Sequence, residues 1–347
     1  MSSSQPLVEV VNPCQSSLLL MMDIPTTQSS LLIRTASSTI FTSQTFGQSN
    51  KCILVMAPPG CGEEGDIAGS VTLLRANKRI CSVLNGPDQL FSELCTKDIG
   101  LRRNPVTRQG NKSEVWTRHF AQNWGAPYKF GVAVQSKSFD EAPPAILKAL
   151  HRMLWGGNAA ASSASEWIKN LSQVDPVPNR DVVFNELLSL GYMQDDRISY
   201  HDDGEKQLGP TVATLSLGSP AVMSFRPKRK AKIQTTYGKK GPKGDFVEVL
   251  VLPLYHGDLV VMHGTRIHRL YDHKVDPHGG RRFALTCRYI DPSSLNSKEE
   301  KEAATMNGQI PAEAFNSYRY LGDEVEADEP LSGKCQNAVS NALTRPT

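Results

Sequence analysis

The sequence predicts a mainly β fold with flanking helices, a double-sheet jelly roll or double-stranded β-helix. Three observations lead there: short β-prone runs crowd residues 106–295, Gly, Pro and Asp turns separate them, and one amphipathic helix precedes them. The helix opens at Pro143-Pro144, with proline in its first turn and Ile146, Leu147, Leu150 and Met153 at helical spacing. The strand-like runs are Val182-Val183-Phe184, Val212 to Leu217, Val222 to Phe225, Phe246 to Leu252, Leu259 to Met262 and Arg282 to Tyr289. Upstream, Cys52 to Met56 and Val71 to Leu74 read as strands, and Asp88 to Leu94, after Gly86-Pro87, as one short helix. Lys298-Glu299-Glu300-Lys301-Glu302 reads as a solvated helix. These elements divide the chain into an N-terminal region (1–105, partly disordered, without an assigned function), a dense domain (106–295) and a polar helix with a loose tail (296–347).

Composition narrows the function classes. The chain has 347 residues, 39% hydrophobic, and a net charge of +3. A mildly basic balance permits a polyanionic partner without demanding one. Cys14, Cys52, Cys61, Cys81, Cys95, Cys287 and Cys335 form no Cys-x-x-Cys pair and no zinc spacing. Scattered thiols fit a reducing intracellular compartment, nucleus or cytoplasm, with Cys287 buried in a strand. The apolar run Leu18 to Met22 is far shorter than the roughly 20 residues of a membrane span, and no basic segment precedes it. We therefore expect no membrane association and a monomer.

The chemistry lies in Tyr200-His201-Asp202-Asp203-Gly204-Glu205. Residues two apart on a strand share a face, so His201 and Asp203 can grip one metal while Asp202 points away. With a second imidazole they form the two-His-one-carboxylate facial set of non-haem Fe(II) oxygenases, which leaves positions open for a cosubstrate and dioxygen. His-x-Asp alone is common by chance. The second imidazole comes from a cluster in which His263, His268, His273 and His278 recur every fifth residue. His273 is favoured because it follows an apolar strand and a turn and precedes Arg282 by nine residues; His268 is the competitor. His256 starts a Gly257-Asp258 turn, and His278 sits in a Pro-His-Gly-Gly loop.

The last strand supports this assignment. Alternation puts Arg282, Ala284, Thr286 and Arg288 on one face, and Phe283, Leu285, Cys287 and Tyr289 on the other. Arginines on an inward face are costly unless they meet anions or water. A dicarboxylate cosubstrate meets that need, since one guanidinium can take a carboxylate bidentately. The bland reading is a strand face open to solvent. Arg281 is out of phase and belongs to the surface.

These residues resemble the AlkB-like branch of the 2-oxoglutarate and Fe(II)-dependent dioxygenases, especially its fungal-type members, from roughly Trp116 to Pro292. The strongest stretches are Phe184 to Leu188, Tyr192, His201 to Glu205, Gly209 to Val212, Ser216 to Ser219, His256 to Gly264 and Arg282 to Arg288. The resemblance implies a jelly-roll fold, with residues 106–295 as the dioxygenase domain. It implies Fe(II) held by His201, Asp203 and His273. Arg282 would hold the distal carboxylate of 2-oxoglutarate, Arg288 would lie near its other end, and Tyr192 would add a hydroxyl. Leu190 stands where many members carry asparagine, and Ala284 where bacterial members carry another. The implied activity is oxidative demethylation of alkylated nucleic acid bases, with formaldehyde released.

DNA or RNA as partner calls for a basic track and an aromatic or apolar pocket. Arg226 to Lys232, with Lys228, Arg229 and Lys230 at its centre, is a basic connection between strands. It fits phosphate contact, a solvated hairpin or a localisation signal equally in kind. Trp124 to Phe130 resembles the family's substrate-covering segment, so Tyr128 or Phe130 are candidates to stack on a base; plain core is the competing reading. Gly60-Cys61-Gly62-Glu63-Glu64-Gly65 matches Gly-x-Gly-x-x-Gly, but two glutamates oppose a pyrophosphate and Pro58-Pro59 interrupts the turn, so we read a loop. Two further readings stay open: the same chemistry on a protein or small molecule, and a non-catalytic binding module that retains the fold.

Overall fold

The structure, a computed structural model, describes residues 18–20, 33–35, 40–46, 51–57, 69–106, 115–127, 135–172, 182–194, 196–228, 231, 248–320 and 322. The chain begins with β1 (Leu18–Leu20), β2 (Ile33–Thr35), β3 (Ile40–Phe46), β4 (Lys51–Ala57), β5 (Ser70–Leu74), α1 (Lys78–Ser82) and α2 (Pro87–Thr96). Next come β6 (Pro105–Val106), β7 (Val115–Trp116), β8 (Phe120–Gly125), β9 (Ser136–Lys137) and the long α3 (Pro144–Ser172). Then follow β10 (Glu186–Tyr192), β11 (Ile198–His201), β12 (Thr211–Gly218), β13 (Ala221–Pro227), β14 (Leu250–Leu254) and β15 (Leu259–His263). The described chain closes with α4 (Thr265–Leu270), β16 (Tyr271–Pro277), β17 (Arg282–Arg288), α5 (Lys298–Asn307) and α6 (Ala312–Ser317).

This is a mixed α/β fold with two principal sheets. The larger runs β3-β4-β5-β15-β12-β17-β10-β8-β9 and the smaller β1-β2-β14-β13-β16-β11. From β10 to β17 successive strands alternate between the sheets, except that β13 and β14 share the smaller one. That winding brings the end of β11 and the start of β16 against one end of β17.

The helices cover the larger sheet. α3 packs across β5, β12, β15 and β17, burying Ile146, Leu150 and Met153 against Leu73, Leu215 and Leu259 in one core. Each such side chain contributes about 1.5–3 kcal/mol on leaving water. On β17, Phe283, Leu285 and Cys287 join this core, and Phe283 meets Phe91 of α2 edge-on, 5.9 Å between centroids. The opposite face, carrying Arg282, Ala284, Thr286 and Arg288, looks between the sheets, as alternation requires.

Several elements differ from the sequence reading. α3 continues beyond Met153 to Ser172, because its glycines are sites of close approach and not stops. A Cβ on Gly156 would collide with the Leu259 side chain, and one on Gly157 would lie 3.1 Å from Phe184. Val182 to Phe184 belongs to no strand, Val182 N–H donating instead to Asn158 Oδ1 at 2.8 Å, and the strand is β10, starting at Glu186. β14 begins at Leu250, with Glu248 and Val249 outside it, and Phe246 and Val247 lie outside the described residues. β5 pairs with β15, and Leu73, Leu74, Leu90 and Leu94 lie in the same core as β12 and α3. No helix among the described residues is long and apolar enough to cross a membrane.

Candidate active site

His201 ends β11 and His273 is the third residue of β16; the two strands are antiparallel with His201 directly opposite His273. Their ring centroids lie 4.3 Å apart. Asp203 follows just beyond the strand, where the backbone is irregular. Strand parity therefore gives its direction only in part, and an ion pair completes it. Ligand atoms of His201, Asp203 and His273 all fall within 4.8 Å of one another. Metal–ligand bonds of about 2 Å at right angles separate donor atoms by about 3 Å, so small adjustments suffice for one ion. His268 is not part of this group. Its Nε2 lies 3.2 Å from the Pro210 carbonyl, and it sits on α4, a helix between β15 and β16 that the reading of a strand and a turn did not contain.

The protonation states suit a metal. His201 Nδ1 is 2.9 Å from the Ser199 carbonyl; a carbonyl only accepts, so Nδ1 donates and Nε2 keeps its lone pair. Burial, then the neighbouring His201, push His273 down to about 3, so its imidazole is neutral at physiological pH. Asp203 is buried, which by itself would raise it, but Arg288 and the imidazoles outweigh burial and hold its carboxyl well below the usual range. Arg288 donates from Nε to Asp203 Oδ1 at 3.0 Å, and its Nη2 lies 2.9 Å from the same oxygen. Oδ2 is left facing His273 Nε2 at 3.5 Å. The carboxylate thus offers a single oxygen to a metal.

Arg288 was placed by resemblance near one end of the cosubstrate. In the structure its guanidinium pairs with Asp203, and its Nη1 lies 3.5 Å from Glu186 Oε2. Glu186, opposite Arg288 on β10, is fully buried, and burial lifts its carboxyl to about 8 despite Arg288. Sequence reading included it in the stretch Phe184 to Leu188 but gave it no role; its signal was a single acid before Leu187-Leu188.

Arg282 lies at the other end of the same strand face, 1% exposed. Nη2 donates to Ser216 Oγ at 3.0 Å, while Nε and Nη1 have no partner among the described residues. Its Cζ stands 5.3 Å from the Tyr192 ring centroid, and Tyr192 is its cross-strand neighbour. Burial drives the Tyr192 phenol up to about 12, so it remains a donor. The wall beside them is apolar, formed by Ala121, Leu190 and Ala284 with Leu188 and Ile198. Leu190 and Ala284 are directly opposed in the register, so the two departures from the family's polar pattern meet as one apolar patch.

The other sequence candidates fall as follows. Asp202 turns away, its Oδ2 2.8 Å from Lys228 Nζ, and Arg281 is exposed. Lys228 also donates to the His268 carbonyl at 2.6 Å, so it is engaged within the fold. Arg229 and Lys230 lie outside the described residues, as do Tyr128, Phe130 and the glycine-rich stretch 60–65. Trp124 is buried core on β8.

Cys81, Asp88 and His256 form a second convergence of ligand types, but their protons oppose a metal. Gly218 N–H donates to His256 Nδ1 at 2.8 Å, which puts the ring proton on Nε2, toward Asp88 Oδ1 at 3.1 Å. Burial, then Asp88, lift the Cys81 thiol to about 12. This group is a hydrogen-bonded corner of the fold.

The His201, Asp203 and His273 cluster is facial-triad-like and consistent with a non-haem Fe(II) centre. Residues 88–290, more than half of the chain, match the family model of the 2OG-Fe(II) oxygenase superfamily, and the chain belongs to that superfamily. It is AlkB-like within it. It is 30% identical over 131 residues to "Alpha-ketoglutarate-dependent dioxygenase alkB homolog 3" of Rattus norvegicus, covering 36% of this chain and 42% of that protein. The protein of the same description from Mus musculus is 32% identical over 90 residues, 25% of this chain and 29% of that one. The match thus spans less than half the length of these curated relatives. Both are rodent proteins, so they do not distinguish the fungal-type branch. The solved structure of OsALKBH1 covers 63% of this chain and 97% of its own, at 16% identity and a TM-score of 0.38, a likeness too slight to bear on the reading.

Proposed function

We propose that the chain is an Fe(II)- and 2-oxoglutarate-dependent dioxygenase that oxidatively demethylates alkylated bases in DNA or RNA, built on a double-stranded β-helix. The observation that carries the chemistry is Arg282, a buried guanidinium with two idle donors on the strand face that also carries Arg288, the partner of Asp203. A buried cation in that state is costly unless an anion completes it. The distal carboxylate of 2-oxoglutarate supplies two acceptors in the fork geometry that arginine presents.

His201, Asp203 and His273 would hold Fe(II), whose chemistry when bound is the oxidation of a substrate C–H by dioxygen coupled to conversion of 2-oxoglutarate to succinate and carbon dioxide. Arg282 and Ser216 anchor the cosubstrate at one end, and the Tyr192 phenol donates to it. Leu188, Leu190, Ile198 and Ala284 exclude water from its flank. Arg288 keeps Asp203 ionised and its Oδ1 occupied, so that Oδ2 would be the oxygen to hold the metal.

The nucleic acid assignment is supported by a different surface from the one the sequence marked. The β6–β7 ribbon and its flanks carry Arg102, Arg103 and Arg118, all exposed, beside Trp116, which is 52% exposed. The ribbon adjoins the site through His119, whose ring lies 6.1 Å from that of Tyr192. Arginines to meet phosphates and an indole to stack on a base suit a nucleic acid strand. An intracellular monomer, in nucleus or cytoplasm, is the setting this reading assumes. The test is incubation of the iron-loaded protein with oligonucleotides carrying N-methylated bases. Formaldehyde released in proportion to succinate supports it. Succinate formation that no methylated DNA or RNA stimulates would move the activity to a protein or small-molecule substrate, and a folded, iron-loaded chain forming no succinate would be a binding module.

A further inference from the structure

We propose that Lys228 is a positioning residue for the metal centre, a clamp that fixes the segment carrying the two upstream ligands against α4. This rests on the reading of His201, Asp203 and His273 as ligands. Lys228 stands immediately after β13. Its ammonium reaches Asp202 Oδ2 at 2.8 Å and the His268 carbonyl at 2.6 Å, while its own N–H donates to the Leu270 carbonyl at 2.8 Å. Asp202 lies between the ligands His201 and Asp203. His268 and Leu270 belong to the end of α4, which leads directly into β16 and His273. One side chain therefore ties together the two chain segments that must converge on a single ion.

The surroundings are shaped for this contact. Asp202 Oδ1 accepts from Gly204 N–H at 2.9 Å, which closes a turn around Asp203. A Cβ on Gly204 would sit 2.8 Å from Asp202 Oδ1 and 3.0 Å from the His268 carbonyl, so the turn lies flush against α4. The lysine, with three donors and no acceptor, bridges two acceptors that would otherwise face each other unpaired. Lys228 is 22% and Asp202 36% exposed. The pair is thus too open to add much global stability, and its effect falls on local geometry.

The experiment measures Mn(II) affinity of the full chain by electron paramagnetic resonance, with thermal melts of the metal-free proteins alongside. Asp203→Asn is the control that removes a ligand. Lys228→Met should weaken Mn(II) binding by about tenfold, the lower end for groups that orient metal ligands, with little change in the metal-free melting temperature. Lys228→Arg should restore most of the affinity, and Asp202→Asn combined with Lys228→Met should cost no more than either alone. Binding of an unmodified oligonucleotide, and its salt slope, should be the same for Lys228→Met as for wild type. Wild-type Mn(II) affinity in Lys228→Met would overturn the clamp alone. Loss of oligonucleotide affinity with Mn(II) binding intact would assign Lys228 to a phosphate and overturn it too. A wild-type chain that binds no Mn(II), or binds it regardless of Asp203→Asn, would sink the triad and the clamp with it.

Discussion

Replacing Arg282 by methionine should move two measurements in opposite directions. Without cosubstrate the guanidinium is a buried cation with one neutral hydrogen bond, to Ser216, and two idle nitrogens. Removing such a charge in favour of an apolar chain of similar length is expected to stabilise the protein by about 1–3 kcal/mol, roughly 2–5 °C in melting temperature. With cosubstrate the same substitution deletes two charge-assisted hydrogen bonds of about 1.5–3 kcal/mol each, so affinity for 2-oxoglutarate should fall by roughly two to four decades. Calorimetric titration of 2-oxoglutarate into the Mn(II)-loaded proteins reads the second effect; melts with and without 2-oxoglutarate read both. At a hundred times its Kd the ligand stabilises wild type by about 2.7 kcal/mol, and the variant should gain almost nothing. A variant that binds 2-oxoglutarate like wild type would refute the reasoning, as would one that melts lower in the absence of ligand.

Other expectations follow from the same geometry. Glu186 has a folded-state value near 8 against an ordinary 4.5. The folded chain therefore holds a proton that the unfolded chain releases, and stability is lost as pH rises from about 4.5 to 8. Glu186→Gln should flatten that fall in denaturant titrations across the window; an unchanged pH dependence would show that Glu186 ionises normally. Arg288→Met leaves Asp203 buried without its cation and should cost about 3–5 kcal/mol in the metal-free protein, partly regained on adding Mn(II); equal losses with and without metal would separate Arg288 from the ligand. Trp116→Ala, and separately Arg103→Ala with Arg118→Ala, should weaken oligonucleotide binding, the arginine pair also lowering the salt slope by about two. Unchanged affinity in both variants would move the nucleic acid elsewhere on the molecule.

Much of the site was legible because its spacing is local. His201 and Asp203 sit two residues apart at a strand end, and the alternation of β17 separates Arg282 and Arg288 from the core face without any knowledge of partners. His273 was harder, since a repeat of five gives no face to a histidine; what selects it is the register of β16 against β11, a long-range pairing. α4 went unread because Thr265 to Leu270 is too short to show helical periodicity. The pairing of Arg288 with Asp203 and Glu186 went unread because those partners are fixed by how the sheets face each other. The same applies to β5: Val71 to Leu74 reads as a strand, but its neighbour β15 lies far along the chain. The basic run from Arg226 illustrates the converse, since charge density marks an exposed patch while the structure spends its Lys228 on an internal contact.

The central claim is that His201, Asp203 and His273 bind one Fe(II) beside a 2-oxoglutarate held by Arg282. The most direct measurement is succinate formation from 2-oxoglutarate under air with purified chain, with and without added Fe(II), for wild type and Asp203→Ala. Succinate that appears only with Fe(II) and is lost in a folded Asp203→Ala is the predicted result. Succinate formed equally by Asp203→Ala, or none from a folded wild-type chain loaded with iron, would contradict it.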